Sequence, residues 1–433
     1  MIANPVKRKE EKMKKENGRF ALKFGAVICF ALFANNSISY ACSTKIGAVL
    51  PTSVDWGRPI AETAQFVVEQ VNGSGGVSGC NIEMILRDTQ VDPKVGVDAA
   101  KALVDLDGVQ LLLGAVSSGV SMPILTSVSV PSNVMQMSCC SSSTAFSKLA
   151  EEGKTKGLWY RTFATTGVQA VVGAKVAKDR GFKTVAILYK NDDWGQDLNR
   201  LISRDFASLG IKVTSAVAIN DGQPSYKAEV TNALSGNPDV LYLGLYPNEG
   251  TAAVREWLSL GGTENMIMAN SLKSEDFREN VGIKYLGSAF GTDTASPRVA
   301  SADAFVKLYK SHFGKEPSGP GLANSYDATM IALLAMEAAG KGATGDQIAA
   351  QVSRVTDPGG TPISADAAGF KAARTILAGG GNVMYQGATG NVRFDKNGDV
   401  SAPAVVWKFT DSGTEEIEYL SLTEVDKFIA SMN

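Results

Sequence analysis

The chain has 433 residues, of which 44% are hydrophobic and 20% charged, a composition typical of a globular protein. With 42 basic and 44 acidic residues, its formal net charge is −2, which excludes the strongly basic surface of a nucleic-acid-binding protein. The length is sufficient for two or three domains, each with its own core.

The first 41 residues have the pattern of a secretory signal peptide. A basic segment over 7–19 precedes an apolar run over 24–33, and Ser39-Tyr40-Ala41 is a small-x-small cleavage site. The apolar run is too short to cross a bilayer. The remaining chain carries 34 Lys/Arg and 41 Asp/Glu, a net charge of −7. We therefore expect an exported protein that resides in the periplasm.

Four cysteines follow the signal peptide, and an even number in an oxidising compartment suggests two disulfides. Cys42 and Cys80 each precede a predicted strand, and neighbouring parallel strands start side by side, so a Cys42–Cys80 bond is expected. The alternative is a lipid anchor on Cys42, although the usual Leu three residues earlier is absent. Cys139 and Cys140 form either a vicinal disulfide or two buried thiols.

Strand and helix patterns alternate from Cys42 onward. Predicted strands cover 45–50, 82–86, 109–116 and 134–137, and predicted helices cover 59–71, 92–106 and a segment from about 120. This repeated β-α order predicts a doubly wound parallel sheet.

After residue 163 the same order restarts. Predicted helices cover 168–180, 196–209, 226–234 and 250–260, and predicted strands cover 184–189, 212–218, 240–245 and 266–268. Helices over 301–313 and 324–339 are expected to pack on the first unit. The segment 386–407 is interpreted as a hairpin that turns at Asn397-Gly398, before an amphipathic helix over 422–431. The fold class is therefore α/β.

Two breaks that follow buried strands carry small hydroxyl residues. Ser117-Ser118-Gly119 follows the strand at 109–116, and residues 138–143, which include Cys139-Cys140, follow the strand at 134–137. Ligands of an open parallel sheet bind at this edge, where helix N-termini favour carboxylates and other anions. The breaks therefore predict a binding cradle. Ser117 and Ser118 could instead serve only as helix N-caps.

Several short motifs together resemble one family. They are Lys45-Ile46-Gly47 before a Pro-Thr-Ser loop and the segments at 73–79, 114–118, 189–195, 242–246 and 325–328. In order and spacing they resemble the type I periplasmic solute-binding proteins of ABC importers, in the branch that binds leucine, isoleucine, valine and amides. The resemblance implies two doubly wound lobes joined by a three-segment hinge. Lobe 1 would be 42–162 with 293–394, and lobe 2 would be 163–292 with 395–433.

The resemblance also implies the ligand contacts. Ser118 and Ser142 match hydroxyls that hold the ligand's carboxylate, with the backbone of Cys140 in the same cradle. Trp56 would cover the ligand from lobe 1, and Trp194 and Tyr246 from lobe 2. The full set of expected contacts is Trp56, Ser117, Ser118, Cys139, Cys140, Ser141, Ser142, Trp194, Tyr246 and Ser271.

Ser271 departs from the family pattern, because amino-acid binders usually have an acidic residue there for the ligand's ammonium group. With Ser271 at this position, and Asn270 and Lys273 nearby, the sequence leaves open whether an α-amino acid binds.

The expected function is that of a monomeric, non-enzymatic receptor without cofactor, metal or nucleic acid. It would capture a small carboxylate, amide or amino-acid-like solute and deliver it to a membrane ABC permease. A ligand sensor of the same fold and a carrier of a larger lipid-like solute are the alternatives. A serine hydrolase is less favoured, because His312, the only histidine, lies on a predicted surface helix and no Ser-x-x-Lys arrangement is present to replace it as the base.

Overall fold

A computed structural model of the chain describes residues 42–432. The predicted signal peptide at 1–41 lies outside the described residues. Within 42–432, no helix is both long and apolar enough to span a bilayer.

The first sheet has five strands, all parallel. The strands are β1 (Ser43–Leu50), β2 (Asn81–Asp88), β3 (Leu111–Gly114), β4 (Met135–Ser138) and β5 (Trp159–Arg161). The connecting helices are α1 (Arg58–Gly73), α2 (Pro93–Asp105), α3 (Ser118–Ile124) and α4 (Ala145–Glu151), and a π-helical segment, Leu125–Ser129, continues α3. The strand order is β2-β1-β3-β4-β5, as expected for a doubly wound sheet.

The second sheet begins with five parallel strands. They are β6 (Thr184–Lys190), β7 (Lys212–Ile219), β8 (Val240–Gly244), β9 (Met266–Met268) and β10 (Ala289–Thr294). The helices of this part are α5 (Thr166–Asp179), α6 (Asp193–Ser208), α7 (Lys227–Leu234), α8 (Pro247–Ser259) and α9 (Glu275–Val281). Short 3-10 helices cover Asn270–Leu272 and Ile283–Tyr285.

The remaining chain contributes helices and strands to both halves of the molecule. Its five helices before β14 are α10 (Ala300–Phe313), α11 (Leu322–Ala339), α12 (Gly345–Ala349), α13 (Val352–Val355) and α14 (Ala367–Ala378). A small sheet contains β11 (Thr361–Ser364), β12 (Val383–Gly387) and β13 (Gly390–Asn391). The antiparallel strands β14 (Ala404–Thr410) and β15 (Gly413–Leu420) then extend the second sheet beside β10, and α15 (Leu422–Met432) follows.

Each large sheet is covered by helices on both faces. In β1, Ile46 and Ala48 pack in the cluster with α1 and α11, whereas Val49 packs in the cluster with α2 and α3. In β6, Ile187 packs towards α5 and α6, whereas Leu188 packs towards α7 and α8. Successive strand side chains point to opposite faces, so a strand covered on both sides requires an unbroken apolar run. The predicted α/β fold with two doubly wound lobes is confirmed.

The chain passes between the two sheets three times, after β5, after β10 and before β14. This agrees with a three-segment hinge. The residue numbers given above for the lobe boundaries stay predictions. β10 pairs within the second sheet through Thr294, so the second crossing begins after that residue.

The hairpin predicted over 386–407 is wrong. β12 pairs with β13, and β14 pairs instead with β15 and β10. Asn397-Gly398 lies in an irregular turn that packs against β5. A Cβ at Gly398 would lie 2.2 Å from the carbonyl oxygen of Trp159, so only glycine allows this close approach. The glycine therefore serves backbone packing between chain segments and not a hairpin.

The structure brings Cys42 close to Cys80, with their Cα atoms 4.7 Å apart. The parallel register that pairs Ser43 with Asn81 aligns the two strand starts, as the sequence suggested. The sulfur atoms of Cys139 and Cys140 are also adjacent. Both geometries are compatible with the expected disulfides, which stay predictions until the thiols are titrated.

Candidate functional site

A cavity lies between the lobes, where the carboxyl ends of both sets of strands meet. The volume within it that is open to the centres of water molecules is about 60 Å³, which is several times what one water molecule requires. Seven of the ten expected contacts line this cavity, and they are Trp56, Ser118, Cys140, Ser142, Trp194, Tyr246 and Ser271. The structure thus gathers residues that are more than 200 positions apart in the chain.

The two serine-bearing breaks meet directly. Ser118 is the first residue of α3, and its hydroxyl accepts a hydrogen bond from the backbone N–H of Ser143 at 3.2 Å. The hydroxyl of Ser142 accepts one from the hydroxyl of Thr166 at 3.2 Å. Each serine hydroxyl therefore keeps its own proton for donation to another acceptor.

Backbone donors accompany these hydroxyls. Within residues 42–432, no acceptor is paired with the backbone N–H of Ser118 or of Ser142. Buried backbone N–H groups in folded proteins nearly always have a partner, so free ones beside a cavity mark a place where an acceptor fits. Two hydroxyls and two N–H groups are thus available on two residues that line the same cavity.

Arg161 holds the second break in position. Its guanidinium is fully buried and donates to the carbonyl oxygens of Ser141, at 3.2 Å, and Ser143, at 2.7 Å. It also forms an ion pair with Asp399 at 2.7 Å. Removing one member of such a buried pair is strongly destabilising, so the pair fixes the loop conformation. Arg161 and Asp399 come from two different crossings between the lobes.

Three expected contacts do not line the cavity. Ser141 is buried beneath the loop, where its hydroxyl donates to that of Ser121 at 2.7 Å. Cys139 packs in the core of lobe 1. Ser117 points across the cleft, and its hydroxyl lies 3.1 Å from that of Tyr246. Consecutive residues of a loop point in different directions, so only some members of a serine-rich run can reach one cavity.

Cys140 lines the cavity, but its backbone N–H is not available to a ligand as expected. Its backbone N–H donates to the hydroxyl of Ser138 at 3.2 Å, so this group is already engaged within the loop. Its sulfur lies against the loop that precedes α11, where a Cβ at Gly321 would be 2.6 Å from Sγ. Gly321 also has a φ of +82°, which favours glycine. Cys140 therefore supplies a polarisable sulfur wall.

Three aromatic rings stack across the cleft. The ring of Tyr246 lies between those of Trp56 and Trp194, with centroid distances of 5.4 and 5.1 Å and interplanar angles below 20°. Trp56 lies in the loop that follows β1 of the first sheet, whereas Trp194 in α6 and Tyr246 at the start of α8 belong to the second sheet's half. Burial and the nearby Asp192 carboxylate raise the pKa of Tyr246, so its hydroxyl keeps its proton. The stack joins the lobes and forms one wall of the cavity.

Comparison with known proteins identifies this architecture. The model of the periplasmic binding protein family matches residues 43–380. The chain belongs to the type I periplasmic binding proteins. Members of this family bind small solutes and work with ABC permeases in the periplasm.

Individual relatives of this periplasmic binding protein are distant but similar over most of their length. A chemotactic signal transduction system substrate-binding protein of Halobacterium salinarum is 25% identical over 389 residues, which cover 87% of this chain and 89% of the relative. A leucine-, isoleucine-, valine-, threonine- and alanine-binding protein of Pseudomonas aeruginosa is 24% identical over 394 residues, or 90% and 95% of the two chains. The solved structure of a leucine-binding protein from Thermotoga maritima matches with a TM-score of 0.72 at 23% identity, covering 87% of this chain and 99% of that one.

The lobe 2 side of this binding protein's cavity is polar but uncharged. Ser271 lines it, and its hydroxyl donates to the carbonyl oxygen of Leu245 at 2.7 Å. The neighbouring Asn270 accepts a hydrogen bond from Gln169. Among the described residues, no Asp, Glu, Lys or Arg lines this cavity. The site therefore offers neutral donors and acceptors together with a large apolar surface.

His312 lies away from the cavity. Its ring stacks on Phe66 of α1 at a centroid distance of 3.9 Å, and its Nε2 lies 4.0 Å from Glu69. It is absent from the residues that line the cavity with Ser118. Ser118 therefore has no imidazole base beside it.

Seven residues that line the cavity are not among the contacts expected from the sequence. The additional lining residues are Ile60, Val116, Phe163, Asn270, Ser274, Pro320 and Gly321. Pro320 and Gly321 belong to a Gly-Pro-Gly turn between α10 and α11. That turn is visible in the sequence, but nothing local indicates that it reaches a cleft formed by residues some 200 positions earlier.

Proposed function

We propose that this protein is the solute-binding receptor of an ABC importer and that its solute is a small organic monocarboxylate without an α-ammonium group. The observation that carries the proposal is a cavity in which two serine-bearing breaks converge while no charged side chain among residues 42–432 lines the wall. Solute binding itself is the function of the family.

The carboxylate end is assigned to the two breaks. The hydroxyls and backbone N–H groups of Ser118 and Ser142 supply donors, and the N-terminus of α3 adds a favourable field for an anion. Hydrogen bonds to a charged acceptor are roughly twice as strong as neutral ones. An anion can therefore be held here without Arg or Lys.

The apolar body of the solute is assigned to the aromatic wall. Trp56 and Tyr246 present ring surface, and Phe163 and Cys140 complete an apolar enclosure. Burial of such a body is favourable by about 25 cal/mol per Å² of apolar surface. The wall has no hydrogen-bonding requirement, so it suits an aliphatic or aromatic group.

The uncharged lobe 2 side argues against an α-amino acid. An ammonium group in the closed cleft would lose its hydration without gaining a carboxylate partner, because Ser271 stands where relatives have an acid. A deaminated acid of the same shape avoids this cost. The proposed discrimination is thus between two compounds that differ only in the α-ammonium group.

The mechanism is hinged closure. The solute docks on the breaks of lobe 1, and lobe 2 then swings in and adds Trp194 and Tyr246. Because the solute contacts both lobes, it binds the closed form better and shifts the population towards it. The permease would recognise the closed shape. The small cavity disfavours a lipid-like solute.

A matched titration tests this proposal. Binding is followed by tryptophan fluorescence and calorimetry for 4-methylpentanoate against L-leucine, and for 3-phenylpropanoate against L-phenylalanine. We expect at least one deaminated acid to bind about tenfold or more tightly than its amino acid. Amino acids that bind better than the acids would overturn the assignment. Native mass spectrometry of protein purified from its own host then identifies the physiological solute.

A sensing role without transport is the second candidate, and the similarity to a chemotactic substrate-binding protein favours it. Deleting the gene distinguishes the two. Loss of uptake of the identified solute supports transport, whereas normal uptake with lost chemotaxis towards that solute supports sensing.

A further inference from the structure

A second cavity lies at the three crossings between the lobes, and we call it the back groove. The volume within it that is open to the centres of water molecules is about 480 Å³. All three crossings line it, the first through Thr162 and Thr165, the second through 294–296 and the third through 399–402. Within residues 42–432, it shares no lining residue with the solute cavity.

The crossings separate the back groove from the solute cavity. On the first crossing, Phe163 lines the solute cavity, whereas Thr162 and Thr165, which lie on either side of it in sequence, line the back groove. The axis of a hinged rotation passes through the segments that connect the two bodies. A rotation that opens the cleft on one side of this axis therefore narrows the groove on the other side.

The lobes are closed in this structure. The hydroxyls of Ser117 and Tyr246 lie 3.1 Å apart across the cleft, and the ring of Trp56 stacks on that of Tyr246. The back groove is therefore seen here in its wide state. When the lobes turn apart at the cleft, the two walls of the back groove approach each other.

The walls of the back groove belong to different lobes, and both carry apolar side chains. Val392 and Phe394 pack on the core of lobe 1, whereas Val425 and Ile429 of α15 pack on the core of lobe 2. Leu422, at the start of α15, lines the same groove and is 38% exposed. Apolar side chains gain free energy when an approaching surface removes them from water.

The two walls also carry opposite charges. Arg393 of lobe 1 and Asp426 of lobe 2 both line the groove and are exposed. Among the described residues, neither of these side chains has a hydrogen bond or an ion pair. Asp395 lines the groove as well, but its carboxylate already accepts from the backbone N–H groups of Asn397 and Asp399. Arg393 and Asp426 are thus free to pair with each other once the walls meet.

We propose that the back groove is the contact surface between the two lobes of this chain in the open form, where Arg393 pairs with Asp426 and Leu422 is covered. The inference rests on the hinged closure of the proposed function. A contact that exists only in the open form must be broken on closure, so it lowers the affinity for every solute without touching any of them. Residues behind the hinge therefore set how tightly the solute is held.

Charge reversal tests the pairing. Arg393→Glu and Asp426→Arg each put like charges on the two walls, which disfavours the open form. We expect each to tighten the binding of the preferred acid of the matched titration about twofold to fivefold in calorimetry. The double variant Arg393→Glu/Asp426→Arg restores opposite charges and should return the affinity towards that of the unmodified protein.

A matched control separates this effect from net charge. Lys396→Glu makes the same charge change as Arg393→Glu at an exposed residue that is not among those lining the back groove, and it should leave the affinity unchanged. Single reversals that bind like the unmodified protein would overturn the pairing. So would a double variant in which the two effects simply add.

The unliganded protein gives a readout that requires no solute. Spin labels on Lys94→Cys of lobe 1 and Lys227→Cys of lobe 2, both exposed and next to residues that line the cleft mouth, report the closed fraction. Arg393→Glu and Leu422→Asn should both raise this fraction, the latter because the open form then covers less apolar surface. No change in either variant overturns the inference. A raised fraction in a protein that binds no acid supports the inference and refutes the proposed solute class instead.

Discussion

Thr144 and Asp197 face each other across the cleft, and the backbone N–H and hydroxyl of Thr144 both donate to the Asp197 carboxylate at 2.7 Å. Thr144 precedes α4 of lobe 1, whereas Asp197 lies on α6 of lobe 2, so one lobe caps a helix of the other. Arg200 donates to both residues, at 2.6 Å to Asp197 and 3.0 Å to Thr144. These contacts join the two lobes through residues that do not line the cavity.

Asp197→Ala should weaken binding of every solute by a similar factor. The variant loses two hydrogen bonds to a charged group, each of which contributes roughly 1.5–3 kcal/mol, but only in the closed form. We expect about a tenfold or larger loss for all acids in calorimetry, and a larger radius of gyration in small-angle X-ray scattering. Asp98→Ala, on the exposed face of α2, is the control for lost charge. A loss confined to one solute would contradict a role in closure.

The double variant Ser118→Ala/Ser142→Ala should weaken binding of monocarboxylates. Each lost hydrogen bond to the carboxylate should cost about 1–3 kcal/mol, because the solute's oxygen is then left with one donor fewer in a closed cleft. Fluorescence titration measures the loss, and Ser132→Ala on the exposed turn after α3 serves as the control. Affinity equal to that of the unmodified protein would refute the cradle.

Ser271→Glu should shift the preference towards amino acids. The new carboxylate would stand on the lobe 2 side of the cavity and pair with an α-ammonium group, while it repels the carboxylate of a deaminated acid. We expect the affinity ratio of L-leucine to 4-methylpentanoate to rise about tenfold or more in calorimetry. Ser271→Gln has the same size without the charge and should leave the ratio nearly unchanged. An unaltered ratio in Ser271→Glu would mean that position 271 does not face the solute's α-carbon.

Cys42→Ser/Cys80→Ser should lower the free energy of unfolding. For cysteines 38 residues apart, the chain-entropy relation gives about 4 kcal/mol. Guanidinium denaturation of the mature protein measures the change.

Thiol alkylation before and after reduction tests Cys42, Cys80, Cys139 and Cys140 at once. Resistance to alkylation without reductant is expected for both pairs. A lipid-modified Cys42, seen as added mass in the intact protein, would contradict the Cys42–Cys80 bond.

Regular elements with strong local patterns were predicted well. The runs that became β1, β6 and β8 are apolar on both faces, and the helices between them have clear periodicity, so short-range information suffices. β5 and β10 were not predicted. β5 has three residues, too few for a pattern, and β10 ends in Thr292, Asp293 and Thr294, which read as a loop until their burial is known. The hairpin prediction was wrong because Asn-Gly is typical of a tight hairpin turn, whereas the strands on either side of Asn397-Gly398 do not pair with each other. β13 pairs with β12, and β14 pairs with β15 and β10.

The sequence by itself determined the α/β class and the two breaks whose serines and glycine mark a strand end followed by a helix start, and it predicts an export signal over 1–41. These follow from local rules of burial, periodicity and capping. Only the tertiary structure decided which side chains of each break face the cleft. It turned Ser117 towards Tyr246, buried Cys139 and Ser141, and set the Pro320-Gly321 turn beside the cavity. The physical reason is that side-chain direction in irregular loops depends on packing between distant segments, here the buried Arg161–Asp399 pair and the stacked rings, which no local pattern encodes.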